Sequence, residues 1–445
     1  MVLPSMPYQQ LTDTCLAETI GEGGLSSESL ARNLEAAGPS LARLAVAAKD
    51  GSLPFLTLPG RRDDLSACAE ASAGLRERCA DVLILGTGGS SLGARALYGL
   101  VDRGFGPPPG TPRLHFVDNV DPDSLEALLA SIDLTQAGVL AVSKSGETAE
   151  TLAQVLVLLP RLEAAVGGGE LGRRMAVITE PGDNPLAALA GRYDCVRLTQ
   201  DADLGGRFSV LSAVGLVPAM IAGLDGEALR AGAEEVLNAS LTAEKPDGSA
   251  PALGAAIAVG LLHERRVTQN VFMTYADRLA AFGLWYRQLW AESLGKNGTG
   301  ITPVVARGAP DQHSQLQLYL AGPWDKLFTL VRLETAGQGP RMDPVLAGGG
   351  PLSYLGGHTV GDLLHAMAEA TAETLVRSGR PVRQFRLREL NEHAFGALLM
   401  HFMIETVIAA DLLSVNAFDQ PAVDESKRLA RDYLQSTGRG EEAAS

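Results

Sequence analysis

A glutamine and a glutamate stand four residues apart in QLWAESLGKN (288–297), at the end of a helical pattern whose stop signal is Gly295. That spacing puts Gln288 and Glu292 one turn apart on a single helical face, where a carboxylate with an amide beside it is a candidate acid–base group. Spacing alone also allows a plainer reading. Glu292 and Lys296 form an i,i+4 pair of the favourable polarity, worth about 0.2–0.5 kcal/mol on a solvated face. Three further groups stand out. Arg207 follows two glycines and precedes an apolar helix in GGRFSVLSAVGLVP (205–218), where a guanidinium either holds an anion or packs over the helix start. His313, in ARGAPDQHSQLQLYL (306–320), opens a helix behind Asp311 and is either a functional imidazole or a bystander to an Asp cap. Lys427, in FDQPAVDESKRLA (418–430), lies on a tail helix and reads equally well as a surface lysine. The histidines show no HxH or HExxH spacing, so no metal is expected.

Two loops invite an anion. LGTGGSSLG (85–93) leaves a strand and opens a helix, where free N–H groups and the helix dipole favour a phosphate. It resembles a dinucleotide fingerprint, and Asp118 ends the next strand, but Ser91 occupies the position of the third glycine. SKSGET (143–148) repeats the context with three hydroxyls, a lysine and a glycine in six residues. Taken singly, Ser143 and Ser145 are read as helix caps. Taken together, the loops converge on one phosphomonoester, because a dinucleotide site has no use for the second.

The elements that carry these groups alternate. Apolar runs at 82–85, 114–118, 139–143, 175–179 and 195–199 are separated by helical patterns, which predicts a parallel sheet covered on both faces. A second series follows at 271–276, 302–306, 327–333 and 382–387, with a long helix from Asp277 to Leu294. The expected architecture is α/β: a helical segment over 1–70, doubly wound domains over 71–237 and 252–412, and a helical arm over 413–445. The polar, turn-rich stretch 238–251 is the expected linker, and the last five residues, EEAAS, are expected to fray.

Bulk properties exclude several classes. The net charge is −15, from 37 basic and 52 acidic residues, and no Lys/Arg run exceeds a pair, so nucleic acid is not an expected partner. Aromatics are 5% of the chain, so the cores are expected to be aliphatic. Cys15, Cys68, Cys79 and Cys195 form no CxxC pair, which fits a reducing compartment. The N-terminal residues lack a signal-peptide pattern, and the apolar stretch 397–413 is broken by His401, Glu405 and Asp411. It is expected to be a buried helix, not a membrane span, in a cytoplasmic protein.

With GTGGSSLG, SKSGETAET, GGRFSVLSAVGL, QLWAESLGK, DQHSQLQLY and NAFDQPAVDESK in this order over residues 80–430, the chain resembles the glucose-6-phosphate isomerases. The resemblance implies two sugar-isomerase (SIS) domains and a role for each matching position. Ser90, Ser143, Lys144, Ser145 and Thr148 hold the sugar phosphate, with Gly89, Gly206, Gln288 and Gln420 beside the substrate. Glu292 shuttles a proton between C1 and C2 through a cis-enediolate, and Arg207 stabilises that intermediate. His313 and Lys427 assist ring opening, the histidine coming from the partner subunit, so a homodimer is implied and no cofactor is needed. A carboxylate base suits a proton alpha to a carbonyl if its pKa rises from about 4.3. Three features depart from the family pattern: Glu147 in the second loop, the short turn Gly308-Ala309-Pro310, and the loose ending Pro421–Asp424. The competing readings are a sugar-phosphate sensor without catalysis, an isomerase that also takes mannose 6-phosphate, and a dehydrogenase using the first glycine loop.

Overall fold

The computed structural model describes residues 6–442, with side chains to residue 436. Its strands are β1 (Tyr8–Leu11), β2 (Asp81–Leu85), β3 (Arg113–Val117), β4 (Ala137–Val142) and β5 (Met175–Thr179). They continue with β6 (Val196–Thr199), β7 (Gln269–Tyr275), β8 (Thr302–Arg307), β9 (Lys326–Leu333) and β10 (Val382–Leu387). The nine strands expected from the apolar runs are all present, each within two residues of its expected bounds. β2 and β4 are buried almost throughout, as strands covered on both faces must be.

One sheet has the order β3-β2-β4-β5-β6 and is parallel throughout. The other has the order β1-β10-β9-β7-β8, parallel except for β1. In both, the first strand of the series lies between the second and the third. Each sheet therefore has a switch point where successive crossovers leave on opposite sides, between β2 and β4 and between β7 and β9.

The lead-in is not wholly helical. β1 pairs antiparallel with β10, Tyr8 opposite Leu387 and Leu11 opposite Gln384, and completes the second sheet. A four-residue edge strand, YQQL, has no periodicity to detect, and its partner lies at the far end of the chain. The expected linker also changes character. Its first residues finish the helix Gly226–Leu241, its last begin Ala250–Arg265, and both helices pack on Glu392–Leu412. The polar stretch between them is a short inter-helix connection.

These helices, with Ser27–Asp50 and Ala280–Leu294, share one core in which Leu44, Leu97, Phe208, Leu229, Phe272, Trp290 and Phe402 are all buried. Residues from both halves of the chain contribute to it. The helix Glu392–Leu412 is apolar and long enough to cross a membrane, but 89% of its apolar window is buried inside the protein. The arm ends in the helix Asp424–Glu442. Of the last five residues expected to fray, 441–442 close this helix and 443–445 lie outside the described residues.

Candidate active site at the first switch point

The two loops leave β2 and β4, neighbours in the first sheet, and meet at its carboxyl edge. Each enters a helix, Leu92–Tyr98 and Ala149–Val166, whose N-terminus has no side-chain cap. Some other helices of the first half carry a side-chain cap: Asp121 accepts from the Ser124 N–H, Asn184 from that of Ala187, and Asp225 from that of Ala228. Orphan N–H donors at two neighbouring helix ends suit an external acceptor placed between them. The serines of the second loop organise the loop itself. Ser143 Oγ lies 2.8 Å from Thr148 Oγ1, and Ser145 Oγ accepts the Glu147 N–H at 3.2 Å. The Glu147 side chain is exposed.

The first loop is pressed against the rest of the site. A methyl group on Gly89 would fall 2.2 Å from the carbonyl carbon of Gly206, so only glycine permits this approach, and one on Gly88 would meet Gln288 Nε2 at 3.0 Å. Ser90 is half-buried in the same turn. Gly206 leads directly to Arg207, whose side chain is 3% exposed.

Arg207 uses its whole donor fork. Nη1 donates to Glu292 Oε1 and to Gln420 Oε1, both at 2.9 Å. Nε donates to Ser293 Oγ at 2.9 Å, and Nη2 to the carbonyl oxygens of Ala417 and Asp419. Burial lowers the guanidinium below its usual value, while the charge of Glu292 opposes that shift. Gln288 Nε2 donates to Glu292 Oε2 at 3.0 Å, so both carboxylate oxygens are held. A cavity of about 1030 Å³ opens beside Gln288 and Glu292 and is bounded by Lys296 and residues 414–416 and 419–423.

The helical ion pair expected between Glu292 and Lys296 does not form. Glu292 turns to Arg207, and Lys296 Nζ reaches the Ser293 carbonyl at 3.0 Å, Asp419 Oδ1 at 3.0 Å and the Asn416 carbonyl. The hydrogen bond from Lys296 holds the Asp419 carboxyl below its usual range. A buried arginine with several fixed acceptors outcompetes an exposed i,i+4 contact of small worth. Lys296 and Arg207 thus fasten residues 416–420 over the site from two sides. Ser293 escaped sequence reasoning although it directly follows Glu292 in the motif, and of the strap only Gln420 had been singled out.

His313 and Lys427 are not drawn in. They lie toward solvent on the helices Pro310–Ser314 and Asp424–Glu442, and no hydrogen bond or ion pair joins either to Glu292, Arg207 or the loops among the described residues. Asp311 behaves as a turn cap, accepting the Arg307 N–H and the Ser314 hydroxyl. No group of three or more His, Cys, Asp or Glu side chains is arranged for a metal among the described residues.

Paired doubly wound sheets with hydroxyl-rich loops at one switch point define the class, a two-domain SIS-type α/β protein. Residues 70–307 match the phosphoglucose isomerase family. A glucose-6-phosphate isomerase of Rubrobacter xylanophilus is 39% identical over 92% of this chain and 94% of its own length. One from Thermus thermophilus is 40% identical over 80% of this chain and 83% of its own length. Among solved structures, a Thermus thermophilus protein described as hypothetical superposes with a TM-score of 0.81 at 36% identity, covering 96% of this chain and all of that one. The glucose-6-phosphate isomerase of Chlamydia trachomatis shares the fold, with a TM-score of 0.72 at 23% identity over 84% of this chain and 74% of its own. The chain belongs to the phosphoglucose isomerase family.

Proposed function

We propose that the protein interconverts glucose 6-phosphate and fructose 6-phosphate through a cis-enediolate. The observation that carries this reading is the Glu292–Arg207 contact at 2.9 Å, against which the first glycine loop is pressed. A base and an oxyanion partner then lie beside a loop suited to cradle the phosphate.

The phosphate is held by Ser90 of the first loop and by Ser143, Lys144, Ser145 and Thr148 of the second, with the free N–H groups behind them. Gly89 and Gly206 let the backbone approach, and Gln288 and Gln420 line the substrate. In the aldose-to-ketose direction Glu292 takes the proton from C2 of the open-chain sugar. The freed electron pair forms the C1–C2 double bond of the enediolate, and the oxygen charge that develops faces Arg207. The hydroxyl proton on O2 passes to O1, the proton held by Glu292 returns to C1, and the C2 oxygen becomes the ketone. No electron leaves the substrate, so the reaction needs no redox partner.

Ring opening falls to His313 and Lys427. The separation of His313 from its own chain's site supports its serving a second copy of the chain in a cytoplasmic homodimer. A coupled assay of fructose 6-phosphate conversion, run with EDTA, tests the activity. Rapid turnover is expected, and its absence with sugar phosphate still bound would favour a sensor. Mixed refolding of Glu292→Gln and His313→Ala chains tests the shared site. If His313 acts in the partner's site, each mixed dimer regains one intact site, and activity returns to about a quarter of wild type. No recovery would place His313 in its own chain's site or outside the chemistry.

A further inference from the structure

Behind the site, in the core of the second half, lies a chain of seven buried polar side chains that the proposed mechanism does not use. Tyr8 OH lies 2.6 Å from His401 Nδ1, and His401 Nε2 lies 2.9 Å from Glu405 Oε2. Arg383 Nη1 donates to Glu405 Oε1 at 2.7 Å, and its Nη2 to Thr329 Oγ1 at 3.4 Å. Thr329 Oγ1 donates to Asn270 Oδ1 at 2.9 Å, and Asn270 Nδ2 to Tyr286 OH at 2.8 Å. All except Tyr8 are fully buried, and Tyr8 is 5% exposed. The chain runs from β1 through the helix Glu392–Leu412, β10, β9 and β7, and it ends on Ala280–Leu294, the helix that carries Gln288 and Glu292.

Its members leave little freedom. With Nε2–H directed at the Glu405 carboxylate, His401 is neutral and accepts from Tyr8, so Arg383 and Glu405 balance in charge. From Arg383 to Tyr286 each link donates in the same direction, an arrangement in which successive hydrogen bonds reinforce one another. The helix Ala250–Arg265 is admitted only because residue 254 is glycine: a methyl group there would lie 2.2 Å from Arg383 Nη1 and 2.7 Å from Glu405 Oε2. An apolar core of the same shape would be at least as stable, since burying an ion pair costs much of what the pair gains. What the polar chain adds is direction.

The direction matters because of what shares the face of Tyr286. Its ring stacks on Phe272 and on Trp290, with centroids 4.2 and 5.5 Å away. Seven residues, or two turns, further on is Ser293, whose hydroxyl receives Arg207 Nε. Flat stacking alone lets the helix slip or turn by a small angle, whereas the Tyr286 hydroxyl pinned by Asn270 does not. We propose that this buried chain is a positioning device that sets the rotation of the helix Ala280–Leu294, and through Ser293 the placing of Arg207 against Glu292. The inference rests on the isomerase reading above. Tyr286, Asn270, Thr329 and Arg383 touch no substrate and act through the helix, and β1 anchors the far end through Tyr8.

The test uses substitutions that remove one link and almost no volume. Thr329→Val breaks the chain in the middle, Tyr286→Phe removes its end, and Thr329→Ser restores the hydroxyl. Kinetics of fructose 6-phosphate isomerisation are measured well below each variant's Tm. Thr329→Val and Tyr286→Phe are expected to lower kcat roughly ten- to a hundredfold through misplacement of the base and its partner. KM should stay within about twofold, because the phosphate loops lie on the other sheet. Thr329→Ser should keep near-wild-type kcat, and the double variant Thr329→Val/Tyr286→Phe should be no worse than its poorer parent, as one break suffices. Unchanged kcat in Thr329→Val, or a loss that Thr329→Ser shares, overturns the proposal, as do losses that simply multiply. The Thr329 pair decides the matter if Tyr286→Phe fails to fold. A wild-type protein without turnover removes the isomerase reading and this inference together; an active wild type with indifferent variants removes only this one.

Discussion

Replacing Glu292 by glutamine is expected to lower kcat by about 10²–10⁴-fold, the usual worth of a positioned general base, while sugar-phosphate affinity changes little. The substitution is conservative in shape. Glutamine offers a carbonyl oxygen to Arg207 Nη1, as Glu292 Oε1 does now at 2.9 Å, so the strap held by Arg207 stays in place. What disappears is the capacity to accept a proton from carbon. Steady-state kinetics with calorimetric titration of fructose 6-phosphate check both halves. Near-normal turnover would remove Glu292 from the role of base, and lost affinity would show that its charge serves binding instead.

Arg207→Met is expected to cost about 10²–10³-fold in kcat, the loss seen when a preorganised donor to a developing oxyanion is removed. Unlike the first substitution it should also destabilise the protein. Arg207 donates to five oxygens, on Glu292, Ser293, Gln420, Ala417 and Asp419, and methionine leaves all of them without this partner. The buried Ser293 hydroxyl is the most costly to strand. A lowered Tm and faster proteolysis near residues 414–420 should accompany the kinetic defect. Arg207→Lys separates charge from geometry. A lysine keeps the cation but cannot span this fork, so recovery of kcat without recovery of Tm would mean that charge alone serves the reaction.

Much of this was legible in the primary structure because it is local. Runs such as MAVIT and VRQFRL are strands at the residues where their patterns end. The two loops could be read because strand, glycine, hydroxyl and helix follow one another without interruption. Long-range contacts were illegible. Lys296 looked like the partner of Glu292 because nothing in 288–297 announces that Asp419 will arrive from more than a hundred residues away. β1 is too short to carry a period, and Tyr8, His401, Glu405 and Arg383 are scattered polar residues until three elements fold against one another. His401 and Glu405 were seen only as interruptions of an apolar run, although that pair is what the run was built around.

The pairing of β1 with β10 has a consequence for how the chain is made. The ribosome delivers Tyr8–Leu11 well before Val382–Leu387, with about 370 residues between them. At roughly 5–20 residues per second the first strand is out for on the order of 20–70 s before its partner exists. The first sheet, whose strands all fall between Asp81 and Thr199, has no such wait. Maturation is therefore staged, with the half that carries the two glycine- and hydroxyl-rich loops formed early. The second half is sealed, and the helix that carries Glu292 locked, only when these two distant segments meet in one ladder.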